Sequence, residues 1–312
     1  RDESMVGGDE MRRNRFDRSK DDIVFDSINY CLMTAVLVIV LYPLVYILGA
    51  SFSDPYKVAS GEMWLYPVEF TLEGYQYLLK YSEIWVSYGN TIVYTIAGTS
   101  LNLVVTLPCA YALSRKDFVG RGWLMLLIMI PMYFTGGLVP TYITVKRLGL
   151  LDTRLMLIVG GATATYNLIV SRTFFSSTIP MELQEAGVID GCSNWKLFIR
   201  IVMPLSMPIV AVMAMFFGVG HWNEYFGAMI YLKSRSLYPL QLILREILIQ
   251  SEVAAEMAMV DSDLIESAAR QARISDMIKY TAIVISIAPM LLVYGFLQRY
   301  FVKGIMIGAI KG

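Results

Sequence analysis

The sequence predicts an all-α membrane protein that crosses the bilayer about six times. Of its 312 residues, 56% are hydrophobic, and the mean hydropathy is +0.54. Several apolar runs approach the roughly 20 residues that a helical crossing requires. Helices are expected because lipid offers no hydrogen-bond partner to the backbone, so each segment must satisfy its own polar groups. The predicted spans cover residues 26–50, 88–113, 122–145, 155–175, 201–229 and 279–300.

Basic residues flank these spans unevenly, and their distribution predicts the orientation. They cluster before the first span, between the second and third spans, and after the last one: Arg12, Arg13, Arg15, Arg18 and Lys20; Arg115, Lys116 and Arg121; Arg299, Lys303 and Lys311. By the positive-inside rule these regions are cytoplasmic. A second cluster, Lys146, Arg147 and Arg154, falls on a predicted outer loop and opposes this orientation.

The orientation divides the chain into three predicted parts. Residues 1–25 form a cytoplasmic N-terminal tail, residues 26–300 the transmembrane domain, and residues 301–312 a cytoplasmic C-terminal tail of a multi-pass protein of the cytoplasmic (inner) membrane. The loop 178–200 is then cytoplasmic, and the loops 51–87 and 230–278 face outward. The apolar stripes of "TLEGYQYLLKY" and "YPLQLILREILIQ" predict amphipathic helices in both outer loops.

Composition excludes several function classes. Lys and Arg together number 26, as do Asp and Glu, so net charge gives no reason to expect nucleic acid as a partner. No H-E-x-x-H, G-x-S-x-G or G-x-x-x-x-G-K-[ST] motif occurs, so we expect no catalytic residues, no metal site and no ATP-binding loop in this chain. The fifth span has His221 and Glu224 only near its outer end, so the mid-membrane carboxylates that ion-driven carriers use are missing, which disfavours a secondary carrier.

The loop 178–200 carries clear helix signals. Pro180 suits the first turn of a short helix that runs to about Asp190, and Gly191 suits its end. Ser193 is placed to cap a second helix that leads into the fifth span. Leu183, Gly187 and Gly191 recur every four residues, so they share one face, whose small residues would allow close approach of another protein.

The stretch "EAGVIDGCSNWKLFIRIVMP" resembles the signature of permease subunits of ATP-driven (ABC) importers, which reads E-A-A, three residues, G, nine residues, I, one residue, L-P. Five positions match it in register: Glu185, Ala186, Gly191, Ile201 and Pro204. Gly187 and Met203 replace a small residue and a leucine. Stretches such as "GHWNEYFGAMIYL" and "LQRYFVKGIMIGAIKG" are similar to the carbohydrate branch, and the resemblance covers roughly residues 20–312.

The resemblance implies a type I importer permease fold whose cytoplasmic loop is a coupling helix that docks on an ATPase. The residues implied in coupling are Glu182, Leu183, Glu185, Ala186, Gly187, Asp190, Gly191, Ile201 and Pro204, with Gly308 and Lys311 as tail contacts. The implied partners are a second permease in a pseudo-twofold heterodimer, two cytoplasmic ATPase subunits that bind ATP and Mg²⁺, and an extracellular solute-binding lipoprotein.

Neutral oligosaccharides are bound by aromatic faces and hydrogen-bonding side chains, so such residues within the spans are candidates for the substrate path. The candidates are Tyr133, Phe134, Asn167, His221, Trp222, Asn223, Glu224 and Tyr225. Helix packing and interfacial anchoring are competing explanations for each of them. The sequence thus predicts a permease for oligosaccharides; a permease for another solute, a secondary carrier and a membrane scaffold remain alternatives.

Overall fold

The computed structural model describes residues 20–260 and 265–309, and this part of the chain is helical without strands. The predicted all-α class is therefore confirmed. The helices are α1 Lys20–Ser51, α2 Pro55–Ala59, α3 Glu73–Leu79, α4 Ser82–Ser114, α5 Arg121–Tyr133, α6 Leu138–Arg147, α7 Arg154–Val159, α8 Thr165–Thr178, α9 Met181–Ile189, α10 Asn194–Leu197, α11 Met203–Leu205, α12 Met207–Trp222, α13 Phe226–Tyr231, α14 Leu240–Val260 and α15 Ile265–Ala309.

Three helices in the described ranges are long and apolar enough to cross a membrane: α1, α4 and the segment Arg273–Phe296 of α15. They correspond to the predicted first, second and sixth spans. Two bent helix pairs raise the number to as many as five. One pair is α5 with α6, and the other joins Asn194–Leu205 to α12.

The predicted third span is bent rather than straight. α5 and α6 meet at 113° across residues 134–137. Gly137 has φ 84°, a left-handed value that favours glycine, and Pro131 lies in the last turn of α5. Glycine in a left-handed conformation and a proline in the last turn of α5 both favour an interruption of the helix at this point.

The predicted fourth span, residues 155–175, is not one helix. α7 ends at Val159 and α8 begins at Thr165. Gly160 and Gly161 start the intervening segment, and consecutive glycines weaken a helix because they gain the most backbone freedom when it unwinds. The Gly161 carbonyl accepts a hydrogen bond from the Asn102 side chain of α4, which compensates for a lost helical bond.

The central helix of the segment 71–312 is α4, which packs against α7, α8, α12 and α14. Its N-terminal part joins a buried cluster with α3, α14 and α15 through residues such as Ile84 and Ile243. Its C-terminal part joins a second cluster with α8 and α12 through residues such as Tyr111 and Met213. Since 33 residues of helix measure roughly 50 Å, α4 connects two distant ends of this unit.

The predicted amphipathic helices of both loops are present as α3 and α14. Thr71 Oγ1 accepts a hydrogen bond from the Glu73 backbone N at 3.2 Å, next to the start of α3. The last helix differs from prediction, because α15 begins at Ile265 rather than near residue 279 and continues to Ala309. Its N-terminal turns "IESAARQ" contain good helix formers, so the helix begins before the apolar span Arg273–Phe296.

Candidate functional site

The loop 178–200 folds into the predicted pair of short helices, which we call the α9–α10 segment (residues 180–198). Pro180 immediately precedes α9, and Gly191 has φ 69° directly after its end. The Ser193 side chain accepts a hydrogen bond from the Lys196 backbone N at 3.3 Å and so caps α10. These local signals are short-range, which is why the sequence alone locates both helices.

The structure changes the interpretation of the small-residue face. Gly187 is buried, and a Cβ at this position would lie 2.6 Å from Leu197 Cδ1 of α10. The space beside Gly187 is therefore filled by the same chain and is not open to another protein, in contrast to the expectation from spacing. Gly191 has open space around it but requires its left-handed conformation.

The exposed side of α9 combines carboxylates with apolar tips. Glu182, Glu185 and Asp190 are exposed, as is Ala186, and Leu183 is half-buried against the core. Ile189 is 85% exposed and Trp195, in α10, is 65% exposed. Large apolar side chains at this exposure are a feature of interaction surfaces when they lie next to each other in a rigid segment.

The other side of the α9–α10 segment is anchored in the core. Leu197 and Phe198 are buried, and the Phe198 ring stacks on Tyr111 of α4 with centroids 5.2 Å apart. Phe198 begins a π-helical turn, Phe198–Val202, that leads into α11. Ile201 packs at the edge of this cluster, and Pro204 is exposed in α11. Movement of the segment would therefore act directly on α4 through this contact.

A charged network forms a second connection at the same end. Arg115, at the end of α4, donates to Asn194 Oδ1 of α10 at 3.1 Å and to both carboxylate oxygens of Asp117 at 2.8 and 2.6 Å. Hydrogen bonding to this guanidinium holds the pKa of Asp117 below its ordinary value. The network borders a pocket of about 290 Å³, which Trp195 and Phe198 also line.

Three of the predicted substrate-path residues meet in one cavity. Asn167 of α8, His221 of α12 and Glu224 line a space of about 410 Å³. The remainder of the lining comes from Thr141, Met156, Leu157, Gly160, Gly161, Ala164, Phe216, Phe217, Gly220, Gly227 and Tyr231. The residues that follow α7 and α12, where these helices end, line this cavity. Helix ends and polar side chains therefore occur at the same place.

The remaining candidates of the path lie outside the cavity. Tyr133 and Phe134 are 70% and 77% exposed at the bend between α5 and α6. Trp222 is buried and donates from Nε1 to the Ser286 carbonyl at 2.9 Å, which indicates a packing role. Asn223 is exposed, and Tyr225 lies 4.5 Å beneath the Arg245 guanidinium. Gly308 is in the last turn of α15, and Lys311 lies outside the described residues.

Asn102 is a site residue that the sequence prediction missed. It is fully buried in α4, its Oδ1 lies 2.7 Å from His221 Nε2, and its amide donates to the Gly161 carbonyl. It thus holds the cavity histidine and the break after α7 together. An uncharged polar residue within the second span was the available signal, because such a group is seldom buried in lipid-spanning helices without a partner.

No protein-family model matches the chain. Protein LplC of Bacillus subtilis is 38% identical over 93% of this chain and 95% of its own length. The polygalacturonan/rhamnogalacturonan transport system permease protein YtcP of Bacillus subtilis is 36% identical over 93% and 99%. A bacterial ABC transporter that imports the acidic polysaccharide alginate has a chain with a TM-score of 0.77 and 30% identity, covering 91% of this chain and 98% of that one. The chain therefore belongs to the permease subunits of carbohydrate ABC transporters.

Proposed function

We propose that this chain is one half of a heterodimeric pathway that imports oligosaccharides across the cytoplasmic membrane, driven by ATP that separate subunits hydrolyse. The second half is a different permease, and an extracellular solute-binding lipoprotein delivers the sugar. ATP and Mg²⁺ belong to two cytoplasmic ATPase subunits, because this sequence contains no Gly-Lys pair for a phosphate loop. Both termini and the α9–α10 segment are cytoplasmic in this proposal.

The observation that carries the coupling role is the two-sided nature of the α9–α10 segment. Ile189 and Trp195 are exposed, whereas Leu197 and Phe198 are buried against α4. When a partner binds to the exposed side and moves, the buried side therefore transmits that movement to the core. When the ATPase dimer closes, the segment moves and the spans reorient, which switches the pathway between outward and inward access.

The oligosaccharide class is supported by the relatives and by the cavity. The names of similar proteins include polygalacturonan/rhamnogalacturonan and arabinooligosaccharides, and the solved importer carries an acidic polysaccharide. The cavity with Asn167, His221 and Glu224 supplies hydrogen-bonding groups beside the Phe216 ring. This combination suits sugar hydroxyls on one side and an apolar ring face on the other.

Glu185→Arg tests the coupling role. The complex of this chain with its co-expressed permease, ATPases and binding protein would be purified and reconstituted in proteoliposomes. Reversing an exposed charge on the docking surface should lower ATP-driven sugar uptake by tenfold or more and reduce the ATPase recovered with the complex. Glu252→Arg makes the same change on exposed α14 and should leave ATPase recovery at the wild-type level.

Two outcomes would contradict the proposal. Equal uptake and equal ATPase recovery for Glu185→Arg and wild type would remove the α9–α10 segment from coupling. Uptake that persists in cells after deletion of the ATPase subunits would instead favour the secondary carrier, in which an ion gradient supplies the energy.

A further inference from the structure

The cavity that holds Asn167, His221 and Glu224 contains unused hydrogen-bonding capacity. Asn167 is 9% exposed, and within the described ranges no protein group hydrogen-bonds its side-chain amide. Its amide oxygen and nitrogen are not sealed within the protein, so water or a ligand in the cavity can complete their hydrogen bonds. The volume of about 410 Å³ falls in the range of small-molecule sites. The cavity therefore has both room and an unmatched polar group for a ligand.

His221 is held in a defined orientation. Because the Asn102 amide nitrogen donates to the Gly161 carbonyl, Asn102 Oδ1 is the atom that faces His221 Nε2 at 2.7 Å. An amide oxygen can only accept, so Nε2 carries the proton of this hydrogen bond. In the neutral ring, Nδ1 is then an acceptor and is available to a hydroxyl donor.

Glu224 is also only partly used by the protein. Its Oε1 accepts a hydrogen bond from the Gly227 backbone N at 2.6 Å, next to the start of α13. Among the described residues, no group bonds to Oε2. One carboxylate oxygen of Glu224 is therefore left as an acceptor at the cavity.

The charges of the lining are one-sided. Of the 14 lining residues, Glu224 is the only acid, and none is Lys or Arg. A carboxylate on a ligand would meet this charge without a compensating cation, and such repulsion is stronger beside apolar spans than in water. A hydroxyl, by contrast, can donate to Glu224 Oε2, to His221 Nδ1 or to the Asn167 carbonyl oxygen.

We propose that this cavity binds an uncharged, hydroxyl-bearing sugar unit and rejects a uronic acid unit, with Glu224 as the discriminating residue. The inference rests on the proposed oligosaccharide import and specifies the sugar that this chain contacts. It does not follow from the relatives' names, which include acidic and other saccharides.

The test uses trigalacturonate and its fully methyl-esterified form, which lacks the negative charges and carries three added methyl groups; the Glu224→Gln variant separates the effect of charge from that of the methyl groups. Binding to the purified complex without the external binding protein would be measured by titration calorimetry at neutral pH, so that only the membrane subunits select. The wild type should bind the ester at least about tenfold more tightly than the acid. Glu224→Gln should narrow this ratio to within about threefold, since it removes the charge and keeps an oxygen for the Gly227 N–H.

Two controls separate the cavity from general effects. Glu252→Gln removes a carboxylate on exposed α14 and should keep the wild-type ratio. Asn167→Ala should weaken binding of the ester by about tenfold, because it deletes the buried amide that the sugar is proposed to complete. Should Glu224→Gln fail to assemble, the wild-type ratio and Asn167→Ala still test the proposal.

Equal binding of acid and ester by the wild type, or an unchanged ratio in Glu224→Gln, would overturn the charge selection. Binding of neither probe would overturn the cavity as a sugar site. If the same preparation takes up an oligosaccharide when ATP is supplied, the proposed import function stands despite either of these results. If no sugar stimulates ATP hydrolysis, the import function itself is contradicted.

Discussion

Gly187 and Gly191 lie four residues apart but meet different structural needs. Gly187 leaves room for Leu197, which packs α10 on α9, and Gly191 adopts the positive φ that ends α9. The signature resemblance predicts that small residues occur here. It cannot distinguish a glycine that packs within the chain from one that receives a partner, because both require only the absence of a side chain.

Gly187→Val should weaken the stimulation of ATP hydrolysis by sugar. The added methyl groups would overlap Leu197 Cδ1, and overpacking of this kind costs about 1–3 kcal/mol. We expect normal membrane insertion with at least a fivefold loss of sugar-stimulated ATP hydrolysis. The double variant Gly187→Val with Leu197→Ala should recover part of the activity, and an additive loss would show that the two residues do not interact as described.

Asn102 shows how a single polar group can organise three segments. Asn102→Leu has a similar volume but leaves the His221 ring and the Gly161 carbonyl without their partner, at about 1–3 kcal/mol for a buried unsatisfied group. The purified complex should melt at a lower temperature and bind sugar more weakly. Asn29→Leu, at an exposed position of α1, should change neither property, and equal melting of Asn102→Leu and wild type would contradict this assignment.

The sequence predicted three of the cavity residues because they are polar within apolar spans. Trp222 and Tyr225 fulfilled the same criterion yet lie outside the cavity, since Trp222 bonds to the Ser286 carbonyl and Tyr225 packs under Arg245. Asn102 meets the same criterion, but the second span carries several other uncharged polar residues, such as Asn90 and Thr99, from which the sequence does not distinguish it. A pattern of residue types gives no information on which side of its helix a side chain lies in the fold.

The hydrogen bond between the end of α4 and α10 is a second connection between the α9–α10 segment and the membrane spans. Arg115 is bonded to Asn194 and Asp117 and lies over the Tyr111 ring with its Cζ 6.0 Å from the centroid. A stack of rings alone would allow the segment to slide, whereas directed hydrogen bonds fix its orientation. Motion of α10 should therefore reach α4 along two routes.

Arg115→Gln should raise the number of ATP molecules hydrolysed for each sugar transported. The loss of stability should be about 1–2 kcal/mol, because the largely exposed Asp117 keeps its water whereas the mostly buried Arg115 also loses its bond to Asn194. Lys116→Gln removes the neighbouring exposed charge and should keep the wild-type ratio. An unchanged ratio in Arg115→Gln would assign the coupling to the aromatic contacts alone.

The same network predicts little dependence on pH near neutrality. The Arg115 guanidinium lowers the pKa of Asp117, so the pair is complete above the ordinary Asp range and is lost only as the pH falls through the lowered value. From about pH 6 to pH 8, the number of ATP molecules hydrolysed for each sugar transported should stay constant in the wild type and in Lys116→Gln. A change in the number of ATP molecules hydrolysed per sugar within this pH range would show that a different titrating group controls the contact between α4 and α10.

The helices were predicted well where local signals are strong and less well where tertiary contacts decide. The positions of α9 and α10 were predicted correctly from Pro180, Gly191 and Ser193. The fourth span was predicted as continuous because residues 155–175 are apolar, but Gly160 and Gly161 interrupt it and Asn102 of another helix stabilises the break. Hydropathy measures how well a segment suits lipid, and it does not report breaks that a distant side chain supports.

At the scale of the whole molecule, α4 connects the two proposed functional sites. The cavity lies beside Asn102 within this helix, and the α9–α10 segment contacts its C-terminal end. The class, the family and the two helices of the α9–α10 segment follow from the sequence because they depend on composition and on a motif of about 20 residues, whereas the coupling role of the segment stays a proposal. The sidedness stays a prediction from basic residues, with the cluster at Lys146, Arg147 and Arg154 against it.

The most direct test of the account is a photo-crosslinking measurement on the assembled complex. A benzophenone side chain would replace Ile189, which is 85% exposed on α9, or, as a matched control, Tyr66, which is 83% exposed in the loop after α2. The account predicts a crosslink from position 189 to the ATPase subunit and none from position 66. Crosslinks to the ATPase from position 66 but not from position 189 would contradict both the coupling role of the α9–α10 segment and the proposed orientation.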